Sequence, residues 1–225
     1  FKDEIEKKHI KVSKTDPESG YYHRDNKEKG FMYLEHRTVN GKCNIITDVY
    51  VTKGNLHDSV VCTERLDYQR NKLNLNINKV GLDSGYDTYD IKKYFEDNNI
   101  FGVIQYRSYG QGNTEIRKWQ FDYLKEEDVY VCPKMGIILP YKNIDKNGYK
   151  KYYDRKQCKG CPYQKQCCEK SKFRTIRRLV CEEVNERARE RRLSLEGKEL
   201  FKKRKTTVER SFCDSKQNHG YRYTL

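Results

Sequence analysis

Two sets of side chains in this sequence are spaced for chemistry: a run of cysteines and a pair of carboxylates. Cys158-Lys159-Gly160-Cys161 is a C-x2-C knuckle, with Cys132 ahead of it and Cys167 and Cys168 behind. Four thiolates close a tetrahedral shell around Zn2+, and a tight C-x2-C loop brings two sulfurs to one ion. Cys132, Cys158, Cys161 and Cys167 are therefore the expected ligands of a structural Zn2+. Cys168 is the alternative to Cys167, because spacing alone does not separate neighbours. A four-cysteine shell has no open position, so its role is structural rather than catalytic. The competing reading is a set of free or redox-active thiols. Cys43, Cys62, Cys181 and Cys213 read as small apolar residues.

The first carboxylate, Asp83, ends the apolar stretch Val80-Gly81-Leu82 and precedes Ser84-Gly85. Ligands and metals collect at the carboxyl ends of strands in α/β sheets. A carboxylate placed there can hold Mg2+ while the ion keeps water and phosphate oxygens. The second, Glu209, sits in Lys205-Thr206-Thr207-Val208-Glu209-Arg210-Ser211-Phe212, beside an apolar stripe and among cations. A helix packed on the sheet could aim Glu209 at the strand end that carries Asp83. Distributed carboxylates of this kind suit two-metal phosphoryl transfer. Both also have plainer readings: Asp83 as a turn or N-cap residue, and Glu209 as half of an exposed i,i+4 pair.

The elements that must position these groups follow from patterning. Residues 31–39 and 44–52 alternate as two strands about Asn40-Gly41, which reads as a two-residue hairpin turn. A helix over 58–72, a strand over 77–82, a helix over 89–98 and a strand over 101–106 follow. That rhythm predicts an α/β sheet with parallel crossovers. At residue 108 the rhythm stops, and the chain becomes rich in Tyr, Lys and Cys. The expected division is therefore a core over 1–107, an inserted subdomain over 108–175, and basic helices over 176–225 that complete the core. A core-poor insert of this size gains folding energy from a metal. The C-terminal pattern predicts helices over 182–192 and 196–218, the second with Leu200, Phe201, Val208 and Phe212 in one buried stripe.

Charge indicates the partner. The chain has 225 residues, with 47 Lys and Arg against 33 Asp and Glu, for a net charge of +14. That surplus is the electrostatic footprint of a nucleic-acid binder. Lys202, Lys203, Arg204 and Lys205 form a cluster with no acid inside it. Arg210 and Lys216 extend it, and Lys216 falls two helical turns from Glu209, on the same face. No apolar run approaches the roughly 20 residues of a membrane span. Nine cysteines, five of them between Cys158 and Cys181, fit a metal site in a reducing compartment better than a secreted disulfide scaffold.

Taken in order, several motifs resemble the DDE transposases of bacterial insertion sequences. They are Thr15-Asp16-Pro17, then Thr52-Lys53-Gly54-Asn55-Leu56-His57-Asp58-Ser59, then Asp83-Ser84-Gly85-Tyr86, then Cys158-x2-Cys161-Pro162 with Cys167, and finally Val208-Glu209-Arg210-Ser211-Phe212 with Lys216. The likeness is to the subgroup with a cysteine-rich insertion before the final Glu, and it covers nearly the whole chain. It implies a ribonuclease H-like mixed sheet flanked by helices, with a small zinc-ribbon-like subdomain inserted. Asp83 matches the second catalytic Asp and Glu209 the final Glu, both as ligands of catalytic Mg2+ or Mn2+. Related proteins carry Y-x2-R-x3-E-x6-K around that Glu. Here Phe201 replaces the Tyr, Arg204 stands one residue further from Glu209, and Lys216 keeps its place. The first Asp, expected in an Asp-Gly-Thr-like context on an earlier strand, has no counterpart. Asp16 reads as a turn residue, Asp58 as a helix start and Asp48 as a strand residue. The chain is thus expected to be a C-terminal part that begins after the first catalytic strand and is inactive alone. The implied function is cleavage and strand transfer of double-stranded DNA, at terminal inverted repeats and target sites, in the bacterial cytoplasm. Synapsis of two ends is consistent with a homodimer of the full protein. The alternative is a non-catalytic, zinc-containing DNA-binding protein derived from a transposase.

Overall fold

The computed structural model describes residues 10–23, 29–106, 115–146, 148–168 and 171–221. The fold is mixed α/β and divides into two units, Phe1–Arg107 with Arg187–Leu225, and Ser108–Glu186. The boundary expected between 107 and 108 falls on residues outside that description. Residues 176–186, expected with the C-terminal helices, group with the second unit, where residues 176–179 pair as a strand. Among the described residues no helix is long and apolar enough to cross a membrane.

The first unit opens with β1 (Gly20–Tyr22), β2 (Gly30–Val39) and β3 (Ile46–Lys53). β2 and β3 are antiparallel, with Tyr33 opposite Lys53, His36 opposite Tyr50 and a slip between Thr38 and Val39. The turn between them differs from the two-residue form expected at Asn40-Gly41. The Asn40 side chain accepts hydrogen bonds from the Lys42 and Cys43 amides at 2.8 and 3.0 Å, and Asn44 takes the positive φ of 55°. An Asx turn thus widens the loop, because Asn bonds readily to the backbone that follows it. It also leaves Cys43 exposed rather than packed.

A single 3-10 turn at Asp58–Val60 leads into α1 (Cys62–Asn71), and then come β4 (Lys79–Leu82), α2 (Tyr89–Asp97) and β5 (Phe101–Ile104). β4 and β5 are parallel, as the crossover through α2 requires. Thr88 caps α2 by accepting a hydrogen bond from the Ile91 amide. Cys62, Leu66, Ile91, Phe95, Ile100 and Ile104 form the core around these elements. Burial raises the Cys62 thiol to about 12, so it packs as a neutral apolar group.

The second unit is an antiparallel meander of β6 (Asp122–Leu124), β7 (Val129–Val131), β8 (Ile138–Ile144), β9 (Tyr149–Tyr152) and β10 (Ile176–Leu179), in the order β10-β9-β8-β7-β6. The short α3 (Gln164–Cys167) lies between β9 and β10 in sequence. Tyr130, Leu139, Tyr152 and Ile176 fill its core, with Tyr130 and Tyr152 edge-on at 5.0 Å. Asp128 ties this core together. It accepts from the Tyr123 and Tyr152 hydroxyls, each at 2.7 Å, and pairs with the Lys150 ammonium at 2.8 Å. Burial alone would raise the Asp128 carboxyl, but these three partners outweigh it and hold the group at about 2. A carboxyl held below its unfolded value stabilises the fold above pH 4 and loses that contribution as pH falls toward 2. Because Asp128 is partly open to solvent, we expect the loss to be on the order of 1 kcal/mol. Urea midpoints measured between pH 5 and 2 should show it in the wild type, and Asp128→Asn should flatten that part of the profile.

Three helices follow: α4 (Glu182–Leu193), in which the boundary between the units falls, α5 (Leu195–Thr206) and α6 (Val208–Asn218). The single helix expected over 196–218 is broken at Thr207, where φ is −117° and ψ −97°. The Thr206 and Thr207 hydroxyls both donate to Lys203 O, at 3.1 and 2.8 Å, and two adjacent β-branched residues crowd a helix backbone. Arg187 grips Glu96 of α2 through two hydrogen bonds at 2.9 and 2.7 Å, and Arg191 joins at 3.3 Å. These arginines of the basic stretch therefore act within the first unit's own packing.

Candidate active site

In the first unit, Asp83 stands where β4 ends, and its Oδ1 accepts a hydrogen bond from the Gly85 amide at 2.9 Å. The carboxylate is half-exposed, and its other oxygen lies 3.9 Å from the Arg204 guanidinium of α5. Gly81 lets that helix sit close to β4, since a Cβ on Gly81 would lie 3.5 Å from Arg204 Cγ and 3.6 Å from Leu200 O. Arg204 thus points inward beside Asp83, with its Nε buried and lacking a hydrogen-bond partner. It does not join the exposed Lys202, Lys203 and Lys205 on the outer surface of α5.

A second carboxylate meets Asp83. A Cβ placed on Gly85 would lie 3.0 Å from Asp58 Oδ2 and 3.1 Å from Asp83 Oδ1, so both acids face the same small volume. Glycine at that position keeps the volume clear. Asp58 also lies 4.0 Å from His36 Nδ1, and His36 Nε2 is 2.8 Å from the Thr52 hydroxyl oxygen. Burial lowers the His36 ring below its usual value, against the opposing pull of Asp58 and Glu35. Burial raises the Tyr86 hydroxyl far above its usual value, and Asp58, Cys62 and Asp83 push it further the same way. Asp58, Asp83, His36, Tyr86 and Arg204 all line one cavity of about 690 Å3.

Sequence reading set Asp58 aside as a helix start, which locally it is. What it missed is that the 3-10 turn carrying Asp58 packs against the 3-10 turn after β4. The other acids are placed differently. Asp48 is buried and committed to Arg65, through hydrogen bonds at 2.9 and 2.6 Å. Asp16 holds a local turn and accepts from the Tyr33 hydroxyl at 3.0 Å. Glu209 lies in the first turn of α6 with its side chain exposed, and it is not among the residues lining the cavity, although Thr207 and Val208 are. α6 is anchored by Arg37 of β2, which donates to Ser211 O at 2.9 Å, Ser211 Oγ at 2.7 Å and Ser215 Oγ at 2.9 Å. On α6, Arg210 pairs with Asp214 at 3.7 Å, while Lys216 is exposed beside the Phe212 ring.

A hard divalent cation binds through one or two carboxylates and keeps its other positions for water and phosphate oxygens. Asp58 and Asp83 supply that donor set, so the residues fit Mg2+ or Mn2+. Among the described residues no group of three or more His, Cys, Asp or Glu is arranged to hold a metal ion.

In the second unit, Cys132, Cys158, Cys161, Cys167 and Cys168 converge on one small apolar cavity of about 20 Å3, with Arg174 beside them. A space of that size holds about one water-sized occupant. Burial raises the Cys158 and Cys168 thiols above their usual value, and brings Cys167 to about 11. As placed, these cysteines are neutral members of the core. The four expected ligands and Cys168 are thus brought together, without the ligating arrangement. Among the cysteines read as apolar packing residues, Cys213 as well as Cys43 is exposed.

Residues 131–225 match a family described as "Transposase DDE domain". The match takes in Cys132 through Lys216 and stops short of Asp58 and Asp83. It supports a DDE transposase, a family of DNA-cleaving, nucleotidyl-transferring enzymes that generally use a divalent metal. No curated protein and no solved structure matches the chain.

Proposed function

We propose that this chain is the catalytic part of a DDE transposase of a bacterial insertion sequence. Its reaction is cleavage of duplex DNA at the transposon end, followed by transfer of the freed 3′-hydroxyl to target DNA. The observation that carries the reading is the Asp83 carboxylate, set at the carboxyl end of a parallel strand with a second carboxylate beside it and a basic helix alongside. That arrangement suits in-line phosphoryl transfer, where positioning and charge stabilisation supply most of the rate. Asp83 would hold the divalent ion together with Asp58, and Glu209 would join from the first turn of α6. Bound there, the ion supplies charge neutralisation at the attacking and leaving oxygens. Arg204 limits the repulsion between the acids and an incoming phosphate. Lys202, Lys203, Lys205, Arg210 and Lys216 follow the DNA backbone. The antiparallel β2–β3 pair followed by the parallel β4–β5 pair supports a ribonuclease H-like arrangement. Two copies of the full protein would hold two transposon ends.

The test is cleavage of a labelled duplex by the full-length protein. Activity with Mg2+ or Mn2+ and none with EDTA is the expected result.

The cysteine cavity supports a structural Zn2+ on Cys132, Cys158, Cys161 and Cys167, with Cys168 able to replace Cys167. Binding would deprotonate thiols that are otherwise neutral, so affinity should fall steeply as pH drops. Metal analysis should return about one zinc per chain, and a chelator should lower the melting temperature. Purified protein free of zinc contradicts this assignment.

A further inference from the structure

β2 and β4 each present an unpaired edge to the same cavity. Among the described residues, β2 pairs only with β1 and β3, and β4 only with β5. The Gly54 amide donates to Met32 O at 2.8 Å, which fixes the phase of the β2–β3 ladder. By antiparallel alternation Leu34, His36 and Thr38 bond to β3, while the peptide groups of Glu35 and Arg37 turn to the opposite edge. β1 does not cover that edge. It spans only Gly30–Met32, and a Cβ on Gly20 would lie 2.6 Å from Gly54 N, so β1 continues the side already taken by β3. In β4 the corresponding phase comes from Phe101 N to Asn78 O at 2.9 Å and Gln105 N to Leu82 O at 3.1 Å. The peptide groups of Lys79 and Gly81 therefore face away from β5.

Both edges wall the cavity of about 690 Å3 described above. α1 lines it with Val61 and Leu66, and α5 and α6 line it with Leu200 and Phe212. Folded interiors hold few voids larger than a water molecule, and buried peptide groups are almost always paired. A space bounded by two free strand edges and apolar helix faces has the chemistry of a strand site: backbone donors and acceptors at the sides, apolar surfaces above and below. Every strand among the described residues is already paired elsewhere.

We propose that this slot receives one further β-strand of roughly five residues, the length of edge exposed at about 3.3 Å per residue. We assign it to the segment that precedes Phe1 in the full-length protein. The strand would join the β2–β3 and β4–β5 pairs into one sheet. With helices on both faces, its side chains should be largely apolar. One of its ends falls beside Asp83, so the same segment would complete a wall of the candidate active site. The choice of segment rests on the functional reading above; the slot itself does not, and the test uses no DNA.

The experiment is amide hydrogen exchange, read residue by residue, on the 225-residue chain and on the full-length product of its gene. In the 225-residue chain the Glu35, Arg37, Lys79 and Gly81 amides should exchange nearly as fast as in an unstructured peptide. In the full-length protein they should slow by at least about a hundredfold, the ordinary protection of ladder amides in a folded sheet. The Leu34 and His36 amides, bonded to β3 in either case, serve as the internal reference. Equal exchange in both proteins overturns the proposal. So does protection of the 225-residue chain that grows with its concentration, which would mean that a second copy fills the edge. A reading frame with no residues ahead of Phe1 overturns the choice of segment. Failed DNA cleavage with the protection intact would count against the functional reading alone.

Discussion

Asp83→Asn should lower single-turnover DNA cleavage by the full-length protein by about 10²–10³-fold, the usual cost of removing one electrostatic element of a reaction centre. The substitution is chosen to spare the fold. Asp83 accepts a hydrogen bond from the Gly85 amide, and Asn serves as well as Asp in that capping role. What is lost is the negative charge beside Asp58. Melting temperature and duplex affinity should stay near the wild-type values while the rate falls. Asp58→Asn should also slow cleavage, because the two carboxylates face one volume. Asp48→Asn is the contrast: its carboxylate is buried against Arg65, so stability should fall with little change in cleavage per folded molecule. Unimpaired cleavage by Asp83→Asn would remove the site from this position.

The largest stability effect is expected at Arg37. Its side chain is buried, pairs with the equally enclosed Glu35 at 2.5 Å, and stacks over Phe212 at 4.5 Å. Its three hydrogen bonds to Ser211 and Ser215 fix α6 on β2. Arg37→Ala would leave the Glu35 charge buried without that partner, which costs about 3–5 kcal/mol. Urea denaturation should report the loss. Arg37→Lys should recover only part of it, because an ammonium keeps the charge without the planar fork. The same change should loosen the first turn of α6, where Glu209 lies, and so reduce cleavage even in the folded fraction. A variant as stable as the wild type would mean that α6 is held by other contacts.

Much of this arrangement was legible in the sequence. Alternation located β2 and β3, and the strand-helix-strand rhythm through Phe101 gave the parallel pair β4–β5, because period 2 and period 3.6 differ sharply over such lengths. Asp83 was legible because an apolar strand ends on it. Asp58 was not. Its local signal is a helix start, and its meeting with Asp83 depends on packing between two turns distant in sequence. The basic run from Lys202 to Lys205 looked uniform, yet the helix phase turns Arg204 inward and leaves the lysines outside. The break at Thr207 was hidden by an apolar stripe that continues in phase across it. The wide turn at Asn40 was hidden by a dipeptide that favours a tighter one.

The most direct measurement is cleavage of a labelled duplex by the full-length protein, with Mg2+, with Mn2+ and with EDTA, beside Asp83→Asn. The account predicts strand cleavage with either metal, none with EDTA, and a variant that binds the duplex and leaves it intact. Duplex binding without cleavage by the wild type under all three conditions, or cleavage that persists in Asp83→Asn, would contradict it.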